Sequence, residues 1–580
     1  MDNYRLLVAF LICVAVIVLY QQMLQSRYPQ APHHQHPTHQ QVTPVGAPTP
    51  LTMPSTQPRL SAQASPMAAP SPAHQPATGA PPPTVAAQPP NEIIFPMRAA
   101  THVPVRTVKI DTDLYKAVLT SDGARLRSFS LDKYKETDVP GSGPYQMVRG
   151  HRMPFGLVIS HEDNQFSDTG LTYSTNAPAQ IEVTPGKPAV VTFTATTAAG
   201  VKLKKTYTFR DSSYVFALKA KVDAESRAVA PVAVGLTLSQ PLKQIEEGYH
   251  DIPLLQGFIH KAFTEGESTL KKGVKPLSGP ITYAGFGDRY FLTAFLPQTP
   301  NNGTLWMNYN QGEAHARIVF AGTSTLATQV YMGPKELHLL ENVNPHLSKA
   351  IDFGWTGIIA LPFLRALDLL HRIAPNYGVA IILLTVIVRL ATLPMSIKSQ
   401  RSMMRMQRLQ PQVERIREKF KDDQERLNRE MVDLYKRNHV NPLGGCLPMV
   451  IQLPVLWGLY EALLNAVELR QAPFWLWIRD LSAPDCLSIH GLPAIPFTTC
   501  HGLPVLVLLM AATSLIQQYM MPRQADPSQQ KMMLYMPVIF SLIFIDLPAG
   551  LSLYYLASNV LGIIQQFFLN REFQQYAPAT

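Results

Sequence analysis

Cysteine is scarce in this chain, four residues in 580, which excludes a disulfide-stapled scaffold. No Gly-Lys-Ser or Gly-Lys-Thr run occurs, so there is no phosphate-cradling loop and no nucleotide engine. His, Cys, Asp and Glu show no metal-ligand spacing, and no nucleophile elbow appears. The reading is no enzyme and no cofactor. Acidic residues are missing from Pro29 to Pro90, a stretch with seventeen prolines among Ala, Gln, Thr and His. Nothing there can bury a core. It reads as a disordered, partly polyproline tether reaching on the order of 45 Å. His33, His34, His36 and His39 fit a polar linker better than a weak metal site.

What is present falls into three populations: apolar segments at both ends, the tether, and a region patterned as β-sheet. Leu6 to Tyr20 is an unbroken apolar run of fifteen residues, about 22 Å as helix. Gln21 and Gln22 follow rather than a small-x-small cleavage site, so the run reads as an uncleaved anchor, with a cleaved signal as the alternative. Cys13 within it reads as packing.

From about residue 92 to 345 the pattern has period two. "YVFALKAKVD" sets Phe216, Leu218, Ala220 and Val222 on one face and Lys219 and Lys221 on the other. "LYKAVLTSDGARLRSFSL" predicts a hairpin around Asp122-Gly123, and "VVTFTATTAAGVKLKKTYTF" another around Ala-Ala-Gly. A large antiparallel sandwich follows. His250 and Asp251 show no triad or metal spacing and read as surface or core groups.

Beyond Ser348 the chain turns apolar again. "WTGIIALPFLRALDLLHRI" places Ile358, Leu361, Leu364 and Leu367 at helical spacing with Arg365, Asp368, His371 and Arg372 opposite. This predicts an amphipathic helix on a bilayer surface; a helix buried on the soluble domain is the alternative. Apolar segments then run over 377–397, 446–467, 503–521 and 532–569, the last divided by "DLPAG" at Asp546–Gly550. With the anchor, that predicts six spans. Twelve Lys or Arg lie between Ser396 and Asn441, against Arg470 and Arg479 alone between Leu469 and Gly502. The first segment is therefore cytoplasmic, both termini are inside, and the β domain is outside. Cys486 and Cys500 share an outward loop, where an oxidising compartment permits a disulfide; two free thiols are the alternative.

The fold class is thus a multi-domain membrane protein, a six-span helical protein with a five-helix core plus an all-β periplasmic sandwich. Its parts are an anchor (1–24), linker (25–91), β-sandwich (92–348), interfacial helix (351–374), second transmembrane helix (375–398), cytoplasmic helical hairpin (399–441), transmembrane helices three to six (442–569) and a short cytoplasmic tail (570–580). In the hairpin, Leu409, Val413, Ile416 and Phe420 form one stripe and Leu427, Met431 and Leu434 another, around a turn at Lys421-Asp422-Asp423. Its basic face obeys the positive-inside rule; contact with RNA, anionic lipid or protein is the alternative.

One residue breaks the apolar pattern most sharply. "IILLTVIVRLATLPMSIK" carries Arg389 inside a span, where a guanidinium costs about 2.5–3.5 kcal/mol on insertion scales. If Asn376 caps the helix, Arg389 lies about 18 Å in, nine residues before Lys398, which marks the cytoplasmic interface; an Arg snorkelling to the cytoplasmic headgroups is the alternative. Other segments offer polar partners: Thr385 one turn earlier, Gln452, Tyr460, Glu461 and Asn465, then Thr513, Ser514, Gln517 and Gln518, and finally Ser552, Tyr554, Tyr555, Ser558, Asn559 and Gln565. Interhelical glue is the plain account. Four polar faces beside one Arg point instead to a hydrated cavity, with Pro448 and Pro454 bending helices around it. Besides Glu461, the intramembrane acids Glu468 and Asp546 lie near outer ends, so no acidic relay suggests a proton-coupled pump. The site suits an anionic or hydrated polypeptide. A small-solute channel or transporter, and a membrane-anchored periplasmic binding or chaperone module, are the alternatives.

"NPLGGCLPMVIQLPVLWGLYEALLNAVELRQAPFWLWIRDLSAPD" (Asn441 to Asp485), "IVRLATLPMSIKSQRSMMRMQRLQP" and "MPVIFSLIFIDLPAGLSLYYLASNVLGIIQQ" resemble the YidC family of bacterial membrane protein insertases, in the Oxa superfamily. The likeness runs through nearly everything after Asp352. It implies that Arg389 is a groove arginine, that Thr385 and the Tyr554-Tyr555 pair line the groove, and that the 396–441 hairpin recruits substrates. It implies a periplasmic super-β-sandwich similar to sugar-mutarotating proteins but not catalytic. The implied partners are nascent membrane proteins, the Sec translocon, ribosomes and membrane lipids, with no sequence-specific nucleic acid binding. Two features depart from the family pattern. "NREFQQYAPAT" lacks the Lys/Arg-rich tail of many relatives, so ribosome docking through the tail is not implied, and the Cys486–Cys500 loop is long. Asp546 stands where relatives are usually apolar; nothing in the sequence explains it.

Overall fold

The structure, a computed structural model, describes residues 94–575 except 102, 139–140, 162–163, 225–231, 242–252, 274, 300–301, 311, 441–446, 488–501 and 522–526. The anchor, the linker, His250, Asp251, Cys446, Cys500 and the tail's last residues lie outside this set.

Strands from Ile94–Pro96 to Thr325–Pro334 build a 14-stranded and a 5-stranded sheet. Both predicted hairpins form. Tyr115–Thr120 pairs with Arg125–Lys135 across a turn where Gly123 has φ +65°, and Ala189–Thr196 pairs with Lys202–Phe209 with Gly200 at φ +76°. Both angles favour glycine. Val215–Asp223 alternates as its sequence dictates: Phe216, Leu218, Ala220 and Val222 are buried and the lysines between them exposed. The sheets are mainly antiparallel, with parallel pairing of Ile94–Pro96 on Asn164–Ser167 and of Thr107–Asp111 on Gln180–Glu182. Leu277–Gly287 makes the corner of the large sheet. Its first residues pair with Asn302–Asn310 and its last with Phe291–Thr299, so one strand serves two layers.

The sandwich core holds a charge that its strand pattern hides. Lys205 is fully buried, 2.6 Å from Asp168, which also accepts from Arg125 at 2.9 Å. Lys205 further donates to the carbonyls of Gly123 and Phe155. It shares parity with Leu203, Tyr207 and Phe209, the buried face of its strand, and the carboxylate and two carbonyls account for its burial.

After a short helix at Leu337–Val343 come, among the described residues, the helices α1 (Gly357–Ile373), α2 (Tyr377–Arg408), α3 (Gln410–Lys419), α4 (Gln424–Arg437), α5 (Leu447–Asn465), α6 (Val505–Met520), α7 (Pro527–Ile543) and α8 (Ala549–Gln575). Asn376 starts α2 by accepting from the N–H groups of Gly378 and Val379. Helix α2 continues past Lys398 to Arg408, and among the described residues it is the one helix long and apolar enough to cross a membrane; α6 is apolar but shorter. Asp423 caps α4 through Arg426 N–H. In the α3–α4 pair Leu409 and Val413 are buried, whereas no residue of α4 is.

The stripe of α1 that packs inward is Ala360, Leu364 and Leu367, while Ile358 is 86% exposed and Leu369 and Ile373 are also exposed. Gly458 of α5 admits Ile359 so closely that a Cβ would stand 2.4 Å from it, which seats α1 on α5 by the neighbouring face. The exposed residues leave α1 apolar on its outer side as well.

Candidate functional site

Helices α2 and α8 pack along their lengths, and polar side chains recur at that seam. On α2, Thr385, Arg389, Thr392, Ser396 and Gln400 succeed one another at three- and four-residue intervals, which places them on one face.

Arg389 sits in the middle layer. Its Nε donates to Ser558 Oγ at 2.8 Å and its Nη2 to the Ser558 carbonyl at 2.7 Å. A guanidinium has five N–H donors; the other three meet no acceptor among the described residues. Ser558 is buried, so the charge is anchored to backbone and hydroxyl dipoles rather than to a carboxylate. Such an arrangement holds the cation in the bundle while leaving it able to receive an anion.

Gln452 of α5 donates to the Tyr554 hydroxyl at 3.0 Å. Tyr554 is buried and meets the Tyr555 ring edge-on at 5.5 Å, and Tyr555 contacts Phe540 and Phe544 of the α7 end. Asn559 joins α8 to α6, donating to Ser514 Oγ at 2.7 Å and to Thr513 Oγ1 and the Met510 carbonyl. Gln517 lies against α8 at Gly562.

Two predicted residues are placed otherwise. Thr385 is fully buried and its hydroxyl turns back to the Ile381 carbonyl at 2.7 Å. Tyr460 is buried in α5. Glu461 is buried and accepts from Asn465. Cys486 is disulfide-bonded.

Of a further polar layer, the sequence pattern singles out only Gln565. Toward the far end of α2, Gln400 accepts from Gln565 and donates to Gln566, Gln565 also reaches Ser396, and Gln566 reaches the Met520 carbonyl of α6. Its signal was there: Ser396 and Gln400 continue the spacing of Thr385 and Arg389. The chemistry of the seam is donation and acceptance of hydrogen bonds around one cation. Among the described residues no group of His, Cys, Asp or Glu could hold a metal ion. A cavity of the β domain beside Tyr145, Gln240, Asp288 and Phe291 has about 10 Å³ of free space, room for one water.

Two family descriptions match the chain: "60Kd inner membrane protein" over residues 369–576 and "YidC periplasmic domain" over 107–366. The membrane protein insertase YidC of Citrifermentans bemidjiense is 35% identical over 80% of this chain and 86% of its own length. That of Syntrophobacter fumaroxidans is 36% identical with the same coverage. Among solved structures, an active YidC insertase with its first transmembrane domain resolved is similar at 19% identity and a TM-score of 0.36, covering 81% of this chain and 94% of that one.

Proposed function

The chain belongs to the YidC family of membrane protein insertases, and from that premise we propose that it carries the polar flanks of nascent membrane proteins into the inner membrane through the seam around Arg389. It is an insertase of the inner membrane with a β-rich periplasmic domain. The finer reading concerns topology and mechanism. The helices α2 and α5 to α8, with the N-terminal anchor, make six spans; both termini and the α3–α4 pair face the cytoplasm; the Sec translocon and ribosomes are partners.

The energetic argument is short. A hydrophobic helix is already more stable in lipid than in water, so its insertion needs no fuel. The barrier lies in its polar flank, whose unpaired groups each cost several kcal/mol in hydrocarbon. A polar seam open to the cytoplasm and closed outward shortens the dry distance. Arg389 supplies a fixed positive charge, and apolar faces of α5 and α7 guide the emerging helix to lipid. Gln452, Gln517, Tyr554, Tyr555 and Asn559 line the path; Thr385 and Tyr460 support it from within.

One observation carries this reading: Arg389 is held on Ser558 with three N–H donors to spare. Arg389→Ala is expected to slow insertion of a substrate with an acidic flank about tenfold, the worth of one lost charge-assisted hydrogen bond, and to slow a neutral-flank substrate less. Insertion into proteoliposomes of the two substrates reads this, and equal rates for both would remove the electrostatic role.

A further inference from the structure

Helix α8 has no side chain one turn beyond Ser558, where Gly562 stands. A Cβ there would lie 2.6 Å from Nε2 of Gln517 on α6 and 3.3 Å from Nη2 of Arg389 on α2. Groups from two other helices therefore occupy this notch in α8. Glycine is a poorer helix former than alanine in a helix interior, so local propensity does not account for it; the space does. The notch is also what brings Arg389 close enough to reach the Ser558 carbonyl, an oxygen on the backbone of α8 itself. Gln517 makes no hydrogen bond among the described residues, so an amide and a partly unused guanidinium converge with donors to spare.

We propose that Gly562 is a positioning residue whose missing side chain lets Gln517 and Arg389 form one donor cluster, and that this cluster reads carboxylates on the flank of the inserting polypeptide. The proposal rests on the Arg389 reading above and adds to it a second donor and the gap that seats both.

The consequence of filling the gap follows from which atoms are displaced. Gln517 Nε2 is the end of a flexible side chain, so an alanine methyl at 562 swings the amide away and shifts the guanidinium by a few tenths of an ångström without unseating the helices. Gly562→Ala, Gln517→Ala and the double variant form a cycle, measured as insertion of acidic-flank and neutral-flank substrates by the full chain in proteoliposomes. Gly562→Ala is expected to lower the acidic-to-neutral rate ratio about fivefold, and the double variant to be no worse than the poorer single one, because both changes remove the same convergence. An unchanged ratio in Gly562→Ala, or effects that multiply in the double variant, would overturn the proposal. Thermal melting in detergent checks that each variant is folded. Should Gly562→Ala not accumulate, Gln517→Glu tests the cluster by setting a carboxylate beside Arg389: its ratio is expected to fall below that of Gln517→Ala, and equal ratios would overturn the convergence. Arg389→Ala run in parallel separates the two ideas. If it leaves the ratio unchanged, the Arg389 reading fails; if it lowers the ratio while Gly562→Ala does not, only the present inference fails.

Discussion

Glu468 lies just beyond the last turn of α5, in the segment that leads to α6, half-buried and near the carboxylates of Glu336 and Asp368. Like charges so placed repel one another. Glu468→Gln is therefore expected to melt at a higher temperature than the parent in detergent at neutral pH, and an equal or lower melting temperature would mean that the charge costs nothing there. Some of these residues are legible in the sequence and others are not, for physical reasons. Arg389 was legible because a lone charge in an apolar run has few bland explanations. Ser558 was visible only as one polar residue among several, since a serine in a membrane helix also serves as glue. Lys205 reads as one more surface lysine until its parity with Leu203 and Tyr207 is weighed, and Gly562 carries no signal short of knowing what lies across from it.

At the scale of elements, the segment between α5 and α6 holds its neighbours by a few specific bonds. Asp485 accepts from Trp477 Nε1 at 2.8 Å and from the Leu506 N–H in the first turn of α6, an anchoring of the helix end by a carboxylate. Leu487 and Leu503 exchange two backbone hydrogen bonds, so the loop between them leaves and returns at one place. The start of α8 is tied to the same segment through Ala549 N–H to Ala483 and Gly550 N–H to Leu481. Cys486 is disulfide-bonded; Cys500, the partner the sequence predicts for it, lies outside the described residues. Closing a loop of this length stabilises by about 3 kcal/mol in the chain-entropy account. The double variant Cys486→Ala/Cys500→Ala is expected to lower thermal stability accordingly while insertion persists. Peptide mapping without reductant that joined Cys486 to another cysteine would refute the pairing. Helix positions in this half of the chain were readable because apolar runs bounded by Pro, Asn and Gly fix them. The packed face of α1 was less so: the predicted stripe holds Leu364 and Leu367, which pack inward, but also the exposed Ile358, because the outer side of α1 is apolar too and only the neighbour α5 selects the face.

For the whole molecule, the question is whether the β domain works in the reaction or rides on the helices. The two are joined by real contacts. Arg470, just beyond α5, donates to the carbonyls of Lys135 and Glu136 at 2.7 and 2.8 Å and lies 5.3 Å from the Tyr145 ring and 5.5 Å from the Phe291 ring. Gln471 adds a bond to Lys135, Arg365 of α1 meets Glu341 at 3.0 Å, and Lys335 donates to the Ala350 carbonyl. These contacts fix orientation. Yet among the described residues the polar side chains of the seam bond within the helical bundle and none to a strand. The sandwich in turn has its own buried ion cluster at Lys205 and Asp168 and an aromatic core through Phe155, Tyr207 and Phe216. Sites that share no partners act independently. Arg470→Ala is therefore expected to loosen the β domain, seen as faster cleavage between it and α1 in limited proteolysis, with insertion within about twofold of the intact chain. Removing much of 92–345 is expected to leave insertion largely intact as well. If insertion collapsed in that deletion while the helices still accumulated in the membrane, the working part would be the β domain, and the seam around Arg389 would be reduced to packing.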